Sequence, residues 1–323
     1  MSALDMDYSV YAYPTAATPV DITPAVTALE WGDLSSELAA RAVITLAAVS
    51  VAGLDMADAA KLNTDIAVLV NGVVTFEGII WDCTLTSGRE LRLSCYDRLI
   101  YLTGSRDSAY FPAGNTTQSV ISHICAKWDM PLTYTYMNCV HARLSYRAIS
   151  VADQITRTLN AAASMVGAAY MLRMESGRLH IGVRGEGGAK CEIVSASALS
   201  YTHRRTLSDL VTRVIVVTGE GDGPIKTSAT LDGDTSLGIL QQVVDGAGTS
   251  LKDARAQAEQ LLRERGTPAE TISLECLDVA ALRRGDMVRV ELGSISGAFD
   301  VLGVTHTDSR TMRLELSRHV EMN

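Results

Sequence analysis

Residues 41–102 carry the pattern that most constrains the fold, because apolar and polar side chains alternate there through several successive segments. Leu91, Leu93 and Cys95 alternate with more polar neighbours, a two-residue period typical of a strand with one buried face. An Asn-Gly pair at 71–72 separates two β-branched runs, and both residues tolerate the positive φ of a type I′ hairpin turn. The pattern predicts a β-barrel or β-sandwich for the first third of the chain.

The middle of the chain changes to helical periodicity. In the first predicted helix the apolar residues recur on one face, and Pro131 follows as a stop. In the second, Ser150 and Asp153 form a capping pattern and Gly167 ends the helix. A Ser-Gly pair at 176–177 then predicts a hairpin. The expected buried stripes are Val120, Ile121, Ile124, Cys125 and Trp128 in the first helix, and Val151, Ile155, Leu159, Ala162 and Val166 in the second.

The last third returns to strands and contains one further helix at about 250–265. Ser250 and Asp253 repeat the capping pattern, and Gly266 closes the helix. Strand patterns before and after this helix predict one β-domain in which the helix is an insertion or an edge cover. The expected stripe is Leu251, Ala254, Ala258, Leu261 and Leu262.

The expected fold is therefore mainly β with an α+β insertion. Three domains follow from the changes in periodicity: a β-domain at 1–105, an α+β domain at 106–190, and a second β-domain at 191–323. The polar stretch 222–250 matches none of these patterns.

Charge and hydropathy exclude several classes of protein. The net charge is −9, and residues 1–110 account for −8 of it, so we expect no specific nucleic-acid binding, which needs clustered Lys and Arg. The longest apolar run, at about 66–74, is far below the ~20 residues of a membrane span. The N-terminus has neither the basic start nor the apolar middle of a secretory signal. We therefore expect the chain to remain in the cytoplasm unless it leaves in a larger particle, and its six scattered cysteines to be reduced packing residues.

Motifs for catalysis or ligand binding are absent from the sequence, and we predict no catalytic, cofactor-binding or metal-ligating residues and no cofactor. The Gly-rich segment 219–224 lacks the following Lys and helix of a phosphate loop, so we interpret it as a turn. The basic clusters 203–206 and 263–265 indicate a solvated face or an interface with an acidic partner. A structural role is favoured for every histidine: His123, His141, His180, His203, His306 and His319.

Arg284, Gly285 and Asp286 spell a tripeptide found in cell-adhesion ligands. They directly precede the alternating segment 287–292, so the sequence favours a turn that enters a strand, with Gly supplying the free φ. Adhesion ligands act outside cells, and we expect this chain not to be secreted. The sequence therefore argues against an adhesion function.

Five segments together resemble a known family. In chain order they are "VDITPAVTALEWGDLSSELAARAVITLA", "VNGVVTFEGIIWD", "CYDRLIYLTGSRDSAYFPAGNTTQSVISHIC", "LSDLVTRVIVVTGEG", and the L-x-x-G-D-x-V-x-V pattern formed by Leu282, Gly285, Asp286, Val288 and Val290. Each segment is ordinary strand and turn chemistry, but their order and spacing are similar to those of baseplate hub proteins from contractile phage tails and phage-tail-like bacteriocins. The XkdQ/YqbQ family of defective prophages is the group it resembles.

The resemblance implies two tail-tube-like β-barrel domains that flank the small α+β domain. It also implies a homotrimer that adapts the sixfold tail tube to the threefold central spike. The implied partners are the spike, tube or tube-initiator proteins and the tape-measure protein, after assembly in the bacterial cytoplasm. An acidic lumen that repels DNA phosphate would explain the charge of residues 1–110. Infectious phage and bacteriocin remain equally open.

Two other functions are alternatives to a baseplate hub. A tail-tip protein that degrades cell wall would need a lytic domain, for which the three domains leave no room. A host-surface carbohydrate-binding module would need exposed aromatic side chains. Trp31, Trp81 and Trp128 all lie in patterns that predict burial, so the carbohydrate-binding module ranks last.

Overall fold

A computed structural model describes residues 7–15, 18–51, 54–56, 60–218, 226–246 and 251–319 of the chain. The chain divides into two compact units. The first unit comprises Met1–Thr202 and Ile272–Asn323, and the second comprises His203–Thr271. The three domains expected from the sequence therefore remain a prediction.

Strands dominate the first unit, as the sequence predicts. They are β1 (Tyr8–Thr15), β2 (Thr18–Asp21), β3 (Val26–Asp33), β4 (Arg41–Ala47), β5 (Ser50–Val51), β6 (Leu54–Asp55), β7 (Asp65–Val70), β8 (Val73–Leu85), β9 (Glu90–Tyr96), β10 (Arg106–Phe111), β11 (Leu132–Tyr134), β12 (Leu144–Ser150), β13 (Tyr170–Glu175), β14 (Arg178–Val183) and β15 (Ala189–Val194). After β16 (Ala198–Thr206), the chain enters the second unit with β17 (Arg213–Thr218), β18 (Lys226–Asp232) and β19 (Gln241–Asp245). It returns through β20 (Ala269–Leu277) to β21 (Met287–Leu292), β22 (Ile295–Thr307) and β23 (Thr311–Arg318).

Four α-helices and two short 3-10 helices complete the described residues. The α-helices are α1 (Leu99–Gly104), α2 (Thr117–Lys127), α3 (Val151–Val166) and α4 (Leu251–Arg265), and the 3-10 helices are Thr23–Ala25 and Thr235–Leu237. The predicted N-cap of α3 is confirmed, since the Ser150 side chain accepts a hydrogen bond from Asp153 N at 2.9 Å. Gly167 ends α3 in the left-handed conformation, also as predicted.

The largest sheet runs in the order β16-β20-β23-β22-β3-β4-β9-β8-β7-β1-β2, with β21 and β15 branching from β22. In the described residues this order does not close on itself, so the expected closed barrels are not confirmed. The sheet does carry two separate hydrophobic cores. Leu29, Ile44 and Leu93 belong to the core of the N-terminal strands, and Val288 and Phe299 to that of the C-terminal strands. β22 joins the two halves by pairing His306 with Trp31 of β3.

A third core lies under the helices of the first unit. α2 and α3 pack against each other and against the strand triplet β11-β14-β13 and the pair β10-β12. The predicted stripes are confirmed at their centres, because Val120, Ile124, Ile155 and Leu159 are buried. Trp128, at the C-cap of α2, is only half-buried.

The second unit is a small α/β layer. β17 lies between β18, which is antiparallel to it, and β19, which is parallel, and α4 packs on these strands through Ala254 and Ala258. Leu251 was expected in this stripe, but the prediction was wrong because its side chain is exposed in the first turn of the helix. Ser250, the Asp253 side chain and the Gly-rich segment 219–224 lie outside what the structure describes.

The two hairpin predictions are confirmed. Asn71 and Gly72 have φ of 51° and 76°, and Ser176 and Gly177 have φ of 48° and 71°. The burial of Trp81 is contradicted, since 46% of this residue is exposed. A register shift between Ile80 and Asp82 leaves Trp81 as an extra residue in β8, and such a bulge redirects the side chain that it carries. The two-residue period of the sequence does not indicate where a bulge occurs.

Candidate functional site

The turn at Arg283–Asp286 makes many polar contacts with distant parts of the first unit. Gly285 has φ of 88°, and a Cβ there would lie 2.3 Å from Cγ of Met171, so no other residue fits without movement. β21 begins at Met287. The sequence prediction of a turn that enters a strand is confirmed, and its adhesion-like tripeptide is committed to contacts within the chain.

Arg283 pairs with Asp33, the last residue of β3. Its Nε donates to Asp33 Oδ2 at 2.5 Å and its Nη2 donates to Oδ1 at 3.1 Å, a two-pronged contact. Asp33 is 0% exposed. Burial would raise the pKa of this carboxyl, but the charge and hydrogen bonds of Arg283, helped by Arg284, lower it to about 2.

Arg284 binds backbone instead of a carboxylate. Its guanidinium donates to the carbonyl oxygens of Leu34, Glu37 and Leu38, in the segment between β3 and β4. Burial lowers the pKa of this guanidinium. One side chain therefore holds a loop that has no strand partner of its own.

Arg173 of β13 completes the arrangement from the α+β part of the unit. Its Nη1 donates to Asp286 Oδ1 at 2.9 Å and to the carbonyl oxygen of Arg284 at 2.8 Å. Its Nε donates to Glu175 Oε1 at 2.6 Å, and Glu175 in turn contacts His180 Nδ1 at 2.8 Å. The contacts of Arg173 with Arg284 and Asp286 connect segments more than 110 residues apart in sequence.

We call this set of three guanidinium and three carboxylate groups the junction cluster: Asp33, Arg173, Glu175, Arg283, Arg284 and Asp286. Its formal charges balance, and each group has a partner. Asp97 lies beside it and accepts hydrogen bonds from Ala40 N and Leu99 N. Burial nevertheless raises the pKa of Asp97 to about 7, with Asp33 adding to the rise.

The contacts of the junction cluster hold β3, β13 and the turn before β21 together. The cluster contains no Ser, Cys or Lys nucleophile, and its arginines stay charged at all physiological pH. Within the described residues, no group of three or more His, Cys, Asp or Glu side chains could hold a metal ion. No described helix is long and apolar enough to cross a membrane.

The histidines are placed by local contacts. His306 is buried, stacks on Trp31 at 5.3 Å between ring centroids, and contacts Asp278 at 2.6 Å. His141 contacts the Thr117 hydroxyl at 2.8 Å, and His123 packs edge-on against Phe111. In the other cases the partners are Glu175 for His180, Glu270 for His203 and Asp300 for His319. The six cysteines are all free thiols.

The basic clusters of the sequence lie in the second unit. His203 and Arg205 both reach Glu270, at 2.6 Å and 3.8 Å.

The sequence did not single out Asp33, Arg173 or Asp97, because the partners that place them in or beside the junction cluster lie far away along the chain. The signal it did contain was the Arg-Arg-Gly-Asp segment itself, where two arginines precede a turn.

The fold is that of phage tail proteins. The 43 kDa tail protein of prophage MuSo2 from Shewanella oneidensis superposes with a TM-score of 0.75 at 10% identity, over 97% of this chain and 98% of that one. A tail protein from Neisseria meningitidis MC58 gives 0.72 at 14% identity, over 96% of each chain. A component of the type VI secretion system of E. coli, described as structurally similar to the T4 tail proteins gp27 and gp5, gives 0.55 at 13% identity over 92% of this chain and 74% of that one.

The family follows from the sequence. A family model described as YQBQ-like matches residues 48–317, and the chain belongs to this family. No curated protein matches the sequence significantly.

Proposed function

We propose that the protein is a structural baseplate hub of a contractile tail, a trimeric ring that adapts the sixfold tail tube to the threefold central spike. The observation that carries the proposal is the likeness of almost the whole chain to a prophage tail protein, whose chain is itself covered to 98%. The second support is a fold shared with a secretion-system component described as similar to two T4 tail proteins.

The two cores of the largest sheet are the parts of the chain that we assign to the two tube-like domains. In a trimer these would supply six similar modules around one ring, which matches a sixfold tube on one side. The junction cluster suits this role, because it fixes the C-terminal strands and the α+β part against β3. The N-terminal domain at 1–105, the α+β domain at 106–190 and the C-terminal domain at 191–323 remain our proposed division.

The proposed partners are two further copies of the chain, the central spike, tube or tube-initiator proteins and the tape-measure protein. Assembly would take place in the bacterial cytoplasm before incorporation into the baseplate of a virion or bacteriocin particle. We assign no catalytic activity. The acidic residues of 1–110 would line the lumen, and a ring structure in which they point mainly outwards would remove that assignment.

Light scattering on the purified protein, alone and with the spike encoded beside it, tests the proposal. A trimer, or a monomer that forms a threefold complex with the spike, is the expected result. A monomer that ignores the spike would contradict the hub. Cell-wall zymography would detect the alternative lytic activity.

One observation favours the carbohydrate-binding alternative more than the sequence did. Trp81 is exposed and packs edge-on against the exposed Tyr101 at 5.8 Å, so an aromatic surface for a sugar ring exists. Binding of cell-surface glycans that is lost in Trp81→Ala would support this second function. Equal binding by wild type and variant would exclude this surface as the sugar site.

A further inference from the structure

A cavity of about 130 Å³ lies between β10, α2 and the first turn of α3. Its lining includes Asp107 and Phe111 of β10, Ile124 and Lys127 of α2, Trp128 and Gln154. All these residues belong to the first unit. The cavity is separate from the junction cluster, with which it shares no residue.

Two buried N–H groups at this cavity make no hydrogen bond of normal geometry within the protein. Gln154 is 1% exposed, and its Nε2 is unpaired. The indole Nε1 of Trp128 is also buried and makes no hydrogen bond of normal geometry, although it lies close enough to the Asp107 carboxylate to help lower its pKa. Most buried donors in folded proteins have partners, because an unpaired one forfeits the hydrogen bonds that water gave it. Gln154 Nε2 has no partner and Trp128 Nε1 has only the weak interaction with Asp107, and two such donors at one cavity indicate an acceptor that comes from outside.

An acceptor stands in the same cavity. Asp107 contacts Lys127 Nζ at 2.5 Å, and this hydrogen bond holds the pKa of the Asp107 carboxyl below its usual value. The carboxylate is therefore ionised at neutral pH, and its two oxygens can accept more hydrogen bonds than Lys127 supplies. Phe111 and Ile124 are buried and give the cavity an apolar wall.

We propose that this cavity binds the side-chain amide of an Asn or Gln from a neighbouring tail protein, a partner that rests on the proposed function. The amide oxygen accepts from Gln154 Nε2 and Trp128 Nε1 through its two lone pairs. The amide NH₂ donates to Asp107, and the adjoining methylene lies against Phe111 and Ile124. A carboxylate would bring no donor for Asp107, and an ammonium would leave both N–H donors unpaired.

The test is a titration of ¹⁵N-labelled full-length protein with acetamide, followed by NMR. The chain has three Trp, so Trp128→Phe assigns the indole signal by its loss. Acetamide should shift the Trp128 indole and Gln154 side-chain signals saturably, whereas acetate at equal concentration should not. Gln154→Leu should weaken acetamide binding about tenfold, the loss of one good hydrogen bond. The exposed Gln118→Leu on α2 is the matched control and should change nothing.

Unshifted indole and Gln154 signals in the acetamide titration would overturn the proposal, and so would equal binding of acetate. Two further probes identify the source of the amide. A capped peptide with a central Asn should bind at least as tightly as N-acetylglucosamine. Tighter binding of the sugar would show that the cavity binds a glycan and not a protein side chain. If the spike complex forms and acetamide does not bind, the amide-site proposal is wrong and the hub proposal is supported. If acetamide binds and no assembly forms, the amide-site proposal is supported and the hub proposal is wrong.

Discussion

The junction cluster and the amide cavity are both polar interiors of the first unit, yet they differ in how completely their groups are paired. In the junction cluster, Arg283 and Asp33 satisfy each other, and Arg284 binds three carbonyl oxygens. In the cavity, the buried Gln154 Nε2 has no partner, and the buried Trp128 Nε1 makes no hydrogen bond of normal geometry. A fully paired polar interior stabilises the fold. An incompletely paired one indicates a binding site for a group from another molecule.

The largest expected effect comes from Asp33→Ala, because it removes a fully buried carboxylate and leaves the half-buried Arg283 guanidinium without its partner. We expect the free energy of unfolding to fall by about 3–5 kcal/mol. Urea denaturation followed by Trp fluorescence measures it, and all three Trp, at 31, 81 and 128, lie in the first unit.

Glu30→Ala is the matched control on the same strand. Glu30 pairs with Arg313 at 2.6 Å, but the two side chains are 50% and 55% exposed. An exposed pair contributes only about 0–1 kcal/mol. Equal losses in the two variants would show that burial does not set the strength of the junction cluster.

Gly285→Ala should cost about 2–4 kcal/mol, since it adds left-handed backbone strain to a clash with Met171. Gly72→Ala isolates the strain, because Gly72 has φ of 76° and nothing within 4 Å of its Cβ position. Thermal unfolding of both variants measures the difference. A loss in Gly285→Ala no larger than in Gly72→Ala would mean that the turn can move away from β13. Adding Met171→Ala should recover part of the loss.

Much of the fold could be predicted from the sequence, because hairpins, helix caps and strand alternation depend on neighbours. The Asn71-Gly72 turn and the Ser150 cap are examples of such local chemistry. The Arg283–Asp33 pair could not be predicted, since 250 residues separate its members. The sequence did not single out Gln154, because its unpaired donor is evident only when β10 and Trp128 are in place.

Asp97 offers a pH-dependent contrast with Asp33. Burial raises the pKa of Asp97 to about 7 from 3.8, so the folded state binds the extra proton between these values. The free energy of unfolding should therefore fall as pH rises from about 4 to 7, by up to ~1.4 kcal/mol per pH unit from this group. Asp33, with its pKa lowered to about 2, acts with the opposite sign and loses stabilisation as pH falls from about 4 to 2.

Denaturation of wild type and Asp97→Asn across pH 4 to 8 measures this contribution. The difference between the two proteins should change steadily up to about pH 7 and then level off. A difference that stays constant with pH would mean that Asp97 titrates normally in the folded protein. Salt should change the result little, because the group is buried.

Gln154→Leu should have the smallest effect on stability, and the opposite sign. Leucine replaces an amide whose buried N–H has no partner, so the substitution removes an unmet desolvation cost without breaking a hydrogen bond of Nε2. We expect the free energy of unfolding to stay level or rise by about 1 kcal/mol in urea denaturation, while acetamide binding weakens. A loss of stability as large as that of Asp33→Ala would place Gln154 among the structural residues and erase the distinction between the two interiors. Higher stability with weaker binding is the pattern of a residue retained for a partner at the expense of the isolated fold.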